Sequence, residues 1–125
     1  MKAVLSLAAG SLVGGFGRYL LAARVAHLAG RDYPWGTLAV NLSGCFLIGL
    51  FEELSARHQL FGHQGRILFI VGLCGAFTTF STFASETDHL LRHGRFALAA
   101  ANVLTSVLLG LVLFRAGAWA ARLGA

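Results

Sequence analysis

The stretch from Gly72 to Phe83 reads GLCGAFTTFSTF and lies inside a long uncharged run. Glycine weakens a helix by about 1 kcal/mol relative to alanine, and the four hydroxyl residues of the stretch need hydrogen-bond partners in hydrocarbon. Such a segment is tolerated at membrane depth mainly where it faces protein or lines a cavity. We therefore expect a helix that breaks between Gly75 and Thr78, and not a simple membrane anchor.

The composition around this stretch is that of an integral membrane protein. The chain has 125 residues, of which 57% are hydrophobic and 12% charged, whereas soluble domains have about 25% charged residues. Apolar runs close to the ~20 residues that cross a bilayer predict four spans. They extend from Ala3 to about Ala23, from Tyr33 to Phe51, from Ile67 to Ser85, and from Phe96 to either Phe114 or Ala121. Residues 1–125 are thus expected to form one all-α domain of four transmembrane helices, the third broken near its middle.

Polar residues recur along three of these spans at the spacing that places them on one helix face. They are Thr37, Asn41 and Gly44 in the second span, Thr78, Ser81 or Thr82, and Ser85 in the third, and Asn102, Ser106 and Gly110 in the fourth. Such stripes indicate either hydrogen bonds that hold a helix bundle together or a hydrated path. Three stripes in one short chain favour the path. In the first span, Gly10 and Gly14 form a GxxxG pattern that is typical of close helix contact.

Ionisable residues inside membrane spans are functional candidates, and Arg18 is the clearest one. Glu86 ends the third span near the same surface, so the two residues form either a salt bridge or a vestibule that attracts anions. The first, second and fourth spans contain no carboxylate, which argues against a proton-coupled transporter. No nucleophile–base pair, phosphate-binding loop or metal-ligand motif in the sequence points to an enzyme.

Hydroxyl and amide donors without rings of acidic residues favour an anion as the permeant ion. Phe80 and Phe83 lie three positions apart on one helix face, and the edge of an aromatic ring is electropositive. These phenylalanines either present their edges to a small anion or pack against lipid and other helices. Composition alone leaves both possibilities open.

Basic residues give almost no signal for orientation. Five lie on one side of the predicted membrane and four on the other. The first set is Lys2, Arg57, Arg66, Arg115 and Arg122, and the second is Arg24, Arg31, Arg92 and Arg95. Under the positive-inside rule, so small a difference reflects either a weak signal or dual topology, in which copies insert both ways and pair antiparallel. The scattered positions favour contact with the membrane surface over binding to nucleic acid.

Three motifs together resemble the Fluc (CrcB) family of small dual-topology fluoride channels. Residues 72–83 are similar to the family's G-x-x-G-G-x-T-T-F-S-T-F signature, and residues 36–46, GTLAVNLSGCF, resemble its G-T-L-x-V-N-x-x-G-x-F motif. Gly10, Gly14 and the pair Arg18-Tyr19 resemble the first-span motif. The resemblance covers essentially the whole chain. Departures from the family pattern are Ala76 for a glycine, Ser11 for a glycine and Asn102 for a tyrosine.

The resemblance implies an antiparallel homodimer in the cell inner membrane, with two pores that export fluoride passively and confer fluoride resistance. It implies a central structural sodium ion held by the backbone carbonyls of Gly75 and Thr78. The implied fluoride pore consists of Thr37, Asn41, Phe80, Ser81, Thr82, Phe83 and Ser106, with Arg18 and Glu86 in the vestibule. Two alternatives are a small multidrug antiporter, which needs a carboxylate in the first span, and a membrane assembly subunit that transports nothing.

Overall fold

The computed structural model describes residues 1–58 and 61–124 and shows four membrane spans. Helix α1 is Lys2–Ala29 and helix α2 is Trp35–His58. The third span consists of α3 (His63–Arg66), a π-helix (Ile67–Cys74), α4 (Gly75–Phe77) and α5 (Phe80–Arg92). Helix α6 is Phe96–Leu123. All four spans are long and apolar enough to cross a bilayer, which confirms the predicted number.

The helices continue past the apolar cores that are visible in the sequence. Both α1 and α6 have 28 residues, or about 42 Å at 1.5 Å per residue, whereas the hydrocarbon core is about 30 Å thick. The added turns are rich in alanine, leucine and arginine, which are strong helix formers. Helical backbone therefore extends beyond the predicted spans, past Ala23 in α1 and past Phe114 in α6, because a helix need not end where the hydrocarbon ends.

The first close helix pair joins α1 to the π-helix through two glycines. Gly10 and Gly14 are buried. A β-carbon at Gly10 would collide with the carbonyl of Leu68, and one at Gly14 with the carbonyl of Leu73. Only glycine permits backbones to approach this closely, so the predicted contact face of the GxxxG pattern is confirmed.

The second close pair is α2 with α6. One span lies between them in the sequence, so both helices cross the membrane in the same direction. A β-carbon at Gly49 would collide with the carbonyl of Phe114, and one at Gly117 with the carbonyl of Phe46. These contacts hold α2 and α6 together in the half of the membrane where both helices end.

A single chain buries few side chains between its helices. The largest that are fully buried are Val40, Cys74 and Asn102. Most large apolar side chains of α1 and α6 are exposed, including Phe16 at 66% and Leu111 at 62%. Surfaces of this extent require lipid or another protein surface to cover them.

The third span is interrupted at Thr78 and Thr79, whose backbones are extended. This position is at the C-terminal edge of the predicted window, since Gly75 itself is helical. Adjacent β-branched residues disfavour helix, and Oγ1 of Thr79 caps α5 by accepting a hydrogen bond from the N–H of Thr82 at 3.2 Å. The hydroxyl residues, more than the glycine, therefore set where the helix ends.

Candidate functional site

Asn41 of α2 holds the interruption in the third span with both ends of its side-chain amide. Its Nδ2 donates to the carbonyl of Thr79 at 3.1 Å, and its Oδ1 accepts from the N–H of Thr79 at 2.8 Å. Thr79 is buried, so unpaired backbone groups there would be costly. Asn41 thus replaces the helical partners that Thr79 loses.

The same hydrogen bonds divert two N–H groups away from helical carbonyls. In a continuous α-helix, the N–H of Thr79 would donate to the carbonyl of Gly75, and the N–H of Thr82 to that of Thr78. Here the first donates to Asn41 and the second to the Oγ1 of Thr79. The carbonyls of Gly75 and Thr78 therefore lack their i+4 donors and have capacity to accept another partner.

Four predicted pore residues follow the interruption directly, at the start of α5. Phe80 is 79% exposed and its ring centroid lies 5.6 Å from that of Phe83. Ser81 and Thr82 are also exposed on the single chain. Hydroxyl groups at this depth are costly in contact with lipid, so this surface needs protein or water against it.

Thr37 and Glu86 are joined by a hydrogen bond, in which Thr37 Oγ1 donates to Glu86 Oε1 at 2.9 Å. Both residues line a cavity of about 530 Å³ whose wall also carries Arg31, His89 and Arg95. Glu86 Oε2 is buried without a hydrogen-bond partner in the described part of the chain. Since buried polar atoms are normally paired, this oxygen marks a place where water or another group belongs.

Arg18 lies in a neighbouring cleft of about 380 Å³, which Thr37, Thr79 and Thr82 also line. Of the ion pairs among residues 1–58 and 61–124, none joins Arg18 to Glu86. The salt bridge offered as one interpretation of these two residues is therefore absent from this structure. They instead occupy separate cavities that share Thr37 as a common wall.

The polar stripe of the fourth span divides between two environments. Asn102 is 2% exposed and donates from Nδ2 to Oγ1 of Thr87 in α5 at 2.9 Å. It therefore links helices, as the bundle interpretation of these stripes predicted. Ser106 Oγ is buried and has no partner within the described residues, so its hydroxyl is not used in holding this chain together.

The structure thus brings the predicted residues together around the interruption, with Asn41, Phe80, Ser81, Thr82 and Phe83 adjoining Thr79. Sequence reasoning missed Thr79 itself, which is both the helix cap and the partner of Asn41. The signal was present, because threonine is among the residues preferred at a helix N-cap. It also missed the cavity residues Arg31, His89 and Arg95, which lie in connectors or at helix ends.

Known proteins resemble the chain over almost its entire length. The family model described as CrcB-like protein, Camphor Resistance (CrcB), matches residues 5–118. A protein of Geobacter sulfurreducens is 51% identical over 122 residues, which is 98% of each chain. Proteins of Leptospira interrogans and Phocaeicola vulgatus are 42% and 39% identical, over 94% and 95% of this chain and 93% and 98% of their own.

Each of these three relatives is named a fluoride-specific ion channel, FluC. The family match and the identities together confirm the resemblance carried by the three sequence motifs. The chain belongs to the CrcB (FluC) family of membrane proteins.

Proposed function

We propose that this protein is a channel that conducts fluoride passively across the cell inner membrane, as the names of its relatives state of them. The observation that carries the proposal is the surface beside the interruption of the third span. Exposed hydroxyl groups of Ser81 and Thr82 and the exposed ring of Phe80 lie there at membrane depth. These groups offer O–H donors and aromatic edges, which suit a small anion.

We further propose that two copies of the chain pair in antiparallel orientation and enclose two pores. Support comes from the same surface, because a single chain leaves its polar groups facing the lipid. The near balance of basic residues between the two sides also agrees with insertion in both directions. A second copy would shield Phe80, Ser81 and Thr82 from hydrocarbon.

A sodium ion at the centre of such a dimer fits the two carbonyls that the interruption frees. Gly75 and Thr78 would hold the ion through backbone oxygens, since hard cations prefer oxygen ligands and interrupted membrane helices bind sodium in this way. Gly75 is exposed on the single chain, so its carbonyl lies where a second copy would add ligands. The ion would supply positive charge that holds the interrupted spans of both copies together.

Within each pore, Thr37, Asn41, Phe80, Phe83, Ser81, Thr82 and Ser106 are proposed to line the fluoride path. Asn41 keeps one amide hydrogen free after its bond to the Thr79 carbonyl, so it can position the third span and donate to an anion at once. The unpaired Ser106 hydroxyl adds another donor. Arg18 and Glu86 would form the vestibule, from opposite sides of Thr37.

Fluoride release from proteoliposomes tests the function directly. Vesicles loaded with potassium fluoride should release it through the purified protein when valinomycin balances the charge, whereas chloride-loaded vesicles should retain their anion. Equal release of both anions, or release of neither, would contradict a fluoride channel.

Dimer stability tests the sodium site separately from conduction. Bound sodium stabilises the state that binds it by an amount that grows with concentration, about 2.7 kcal/mol at one hundred times the dissociation constant. The dimer in detergent should therefore dissociate more readily in potassium or N-methylglucamine chloride than in sodium chloride. Equal dissociation in all three salts would remove sodium from the proposal and leave fluoride conduction untouched.

A further inference from the structure

A second polar cavity lies between the C-terminal ends of α2 and α6, away from the interruption of the third span. Its volume is about 460 Å³. Its wall carries Glu52 and Glu53 from α2 and Arg115, Trp119 and Arg122 from α6. Charged residues at the ends of two spans lie at the level of the lipid headgroups, so this cavity opens where lipid meets water.

The charges in this cavity are not all paired with one another. Glu53 accepts hydrogen bonds from Arg57 and, through both carboxylate oxygens, from Arg122, whose Nε lies 2.9 Å from Oε1 and whose terminal nitrogen lies 3.3 Å from Oε2. Glu52 and Arg115 have no hydrogen-bond or ion-pair partner among the residues that the structure describes. One negative and one positive group thus remain available in the same cavity.

Glu52 and Arg115 lie close to the point where the two helices touch. Gly49 packs on the backbone of Phe114, and Glu52 is one turn beyond Gly49 while Arg115 directly follows Phe114. Arg115 lies about 10 Å along the helix axis before Arg122, at 1.5 Å per residue. Arg115 therefore lines the part of the cavity nearer the hydrocarbon, and the phosphate is the part of a phospholipid headgroup that lies nearest the acyl chains.

We propose that this cavity binds the headgroup of a phospholipid that carries both a phosphate and a primary ammonium, as phosphatidylethanolamine does. Arg115 binds the phosphate, because a guanidinium pairs with two phosphate oxygens at once. Glu52 accepts hydrogen bonds from the ammonium. A headgroup that has a net negative charge and no ammonium, such as that of phosphatidylglycerol, offers Glu52 no hydrogen-bond donor with a positive charge. Such a headgroup therefore binds less tightly. Trp119, which is 62% exposed, contacts the lipid at the interface, where tryptophan is enriched.

Trp119 provides the probe for a test, because the chain has two tryptophans and the other, Trp35, can be replaced by phenylalanine. In the Trp35→Phe protein, quenching of Trp119 is measured in vesicles of defined lipids with brominated acyl chains. Phosphatidylethanolamine, phosphatidylcholine and phosphatidylglycerol with identical chains are compared. We expect binding of phosphatidylethanolamine to exceed that of the other two by about tenfold, which corresponds to about 1.4 kcal/mol.

Two variants and one matched control assign the effect to the cavity. Arg115→Gln should weaken binding of all three lipids, because each carries a phosphate, and Glu52→Gln should raise binding of phosphatidylglycerol to the level of phosphatidylethanolamine. Arg24→Gln, an exposed arginine on α1 at the opposite end of the spans, should change nothing. Equal quenching by all three lipids, stronger quenching by phosphatidylglycerol in the unaltered protein, or a preference that survives both cavity variants would overturn the proposal.

Discussion

The π-helix Ile67–Cys74 and helix α5 belong to the same membrane span, yet the first is packed far more closely inside its own chain. The π-helix lies against the glycine face of α1, and its Gly72 and Cys74 are buried. Helix α5 exposes Phe80, and only Leu90 of its thirteen residues is buried. The chain itself therefore covers much of the surface of the first half of the span, whereas lipid or another protein must cover most of the second half.

This difference predicts which half of the span stabilises the fold and which half serves the proposed transport. Glycines in the first half allow close contact between backbones, so substitutions there act on folding. Phe80 and Ser81 at the start of the second half are exposed on the single chain, so substitutions there should act on transport.

Gly14→Leu should have the largest effect, because any β-carbon at this position collides with the carbonyl of Leu73. We expect a loss of about 3 kcal/mol or more, as for overpacked cores, and little folded protein in size-exclusion chromatography. Gly15→Ala is the matched control, since a β-carbon at Gly15 meets nothing within 4 Å. If Gly14→Leu and Gly15→Ala gave equal amounts of folded protein, the contact between Gly14 and Leu73 would not be needed for folding.

Asn41→Leu should leave the buried N–H and carbonyl of Thr79 unpaired. Loss of two hydrogen bonds of ~1 kcal/mol each should lower the equilibrium constant that favours the native interruption by more than about tenfold. Fluoride flux in proteoliposomes should therefore fall, by up to that factor. Ser43→Ala is the control, because Ser43 donates only to carbonyls of its own helix, Ala39 and Val40. Unchanged flux in Asn41→Leu would remove Asn41 from the site.

Phe80→Ile combined with Phe83→Ile should separate transport from folding. Phe80 is 79% exposed, so we expect the unfolding free energy of the chain to change by about 0.5 kcal/mol or less, while fluoride flux is lost with the aromatic edges. Phe16→Ile on α1, which is similarly exposed at 66%, should conduct normally. Wild-type flux in the double variant would mean that these rings only pack against lipid or a partner.

Asn102→Ala should have the smallest effect of the four. Its bond to Thr87 is a hydrogen bond between membrane helices, which contributes about 0.6 kcal/mol on average. A double-mutant cycle with Thr87→Val measures this coupling, and thermal unfolding of the four proteins is the readout. Additive effects would show that the two side chains do not interact.

The four spans were predictable from sequence because hydrocarbon thickness sets the length of an apolar run. The contact face of Gly10 and Gly14 was predictable because spacing by four residues places both on one side of a helix. The exact place of the interruption was harder to predict. Gly75 disfavours a helix only weakly. The helix in fact ends where the Asn41 amide accepts from the N–H of Thr79 and the Thr79 hydroxyl accepts from the N–H of Thr82.

The relation of Arg18 to Glu86 could not be predicted from sequence. The order of the spans predicts that both residues lie near the same membrane surface, but it does not say which helix face each one occupies relative to α2. Thr37 separates their environments, because it lines both cavities and donates its hydroxyl hydrogen to Glu86. The cavity residues Arg31, His89 and Arg95 form no periodic pattern, so only the fold brings them together.

The two bonds between Asn41 and Thr79 also have a mechanical consequence. An interrupted helix usually offers a hinge, since extended residues without partners rotate easily. Here one amide fixes both backbone groups of the same residue to α2, and α2 is in turn locked to α6 through Gly49 and Gly117. The interruption is therefore held against α2 as a rigid joint and not as a hinge.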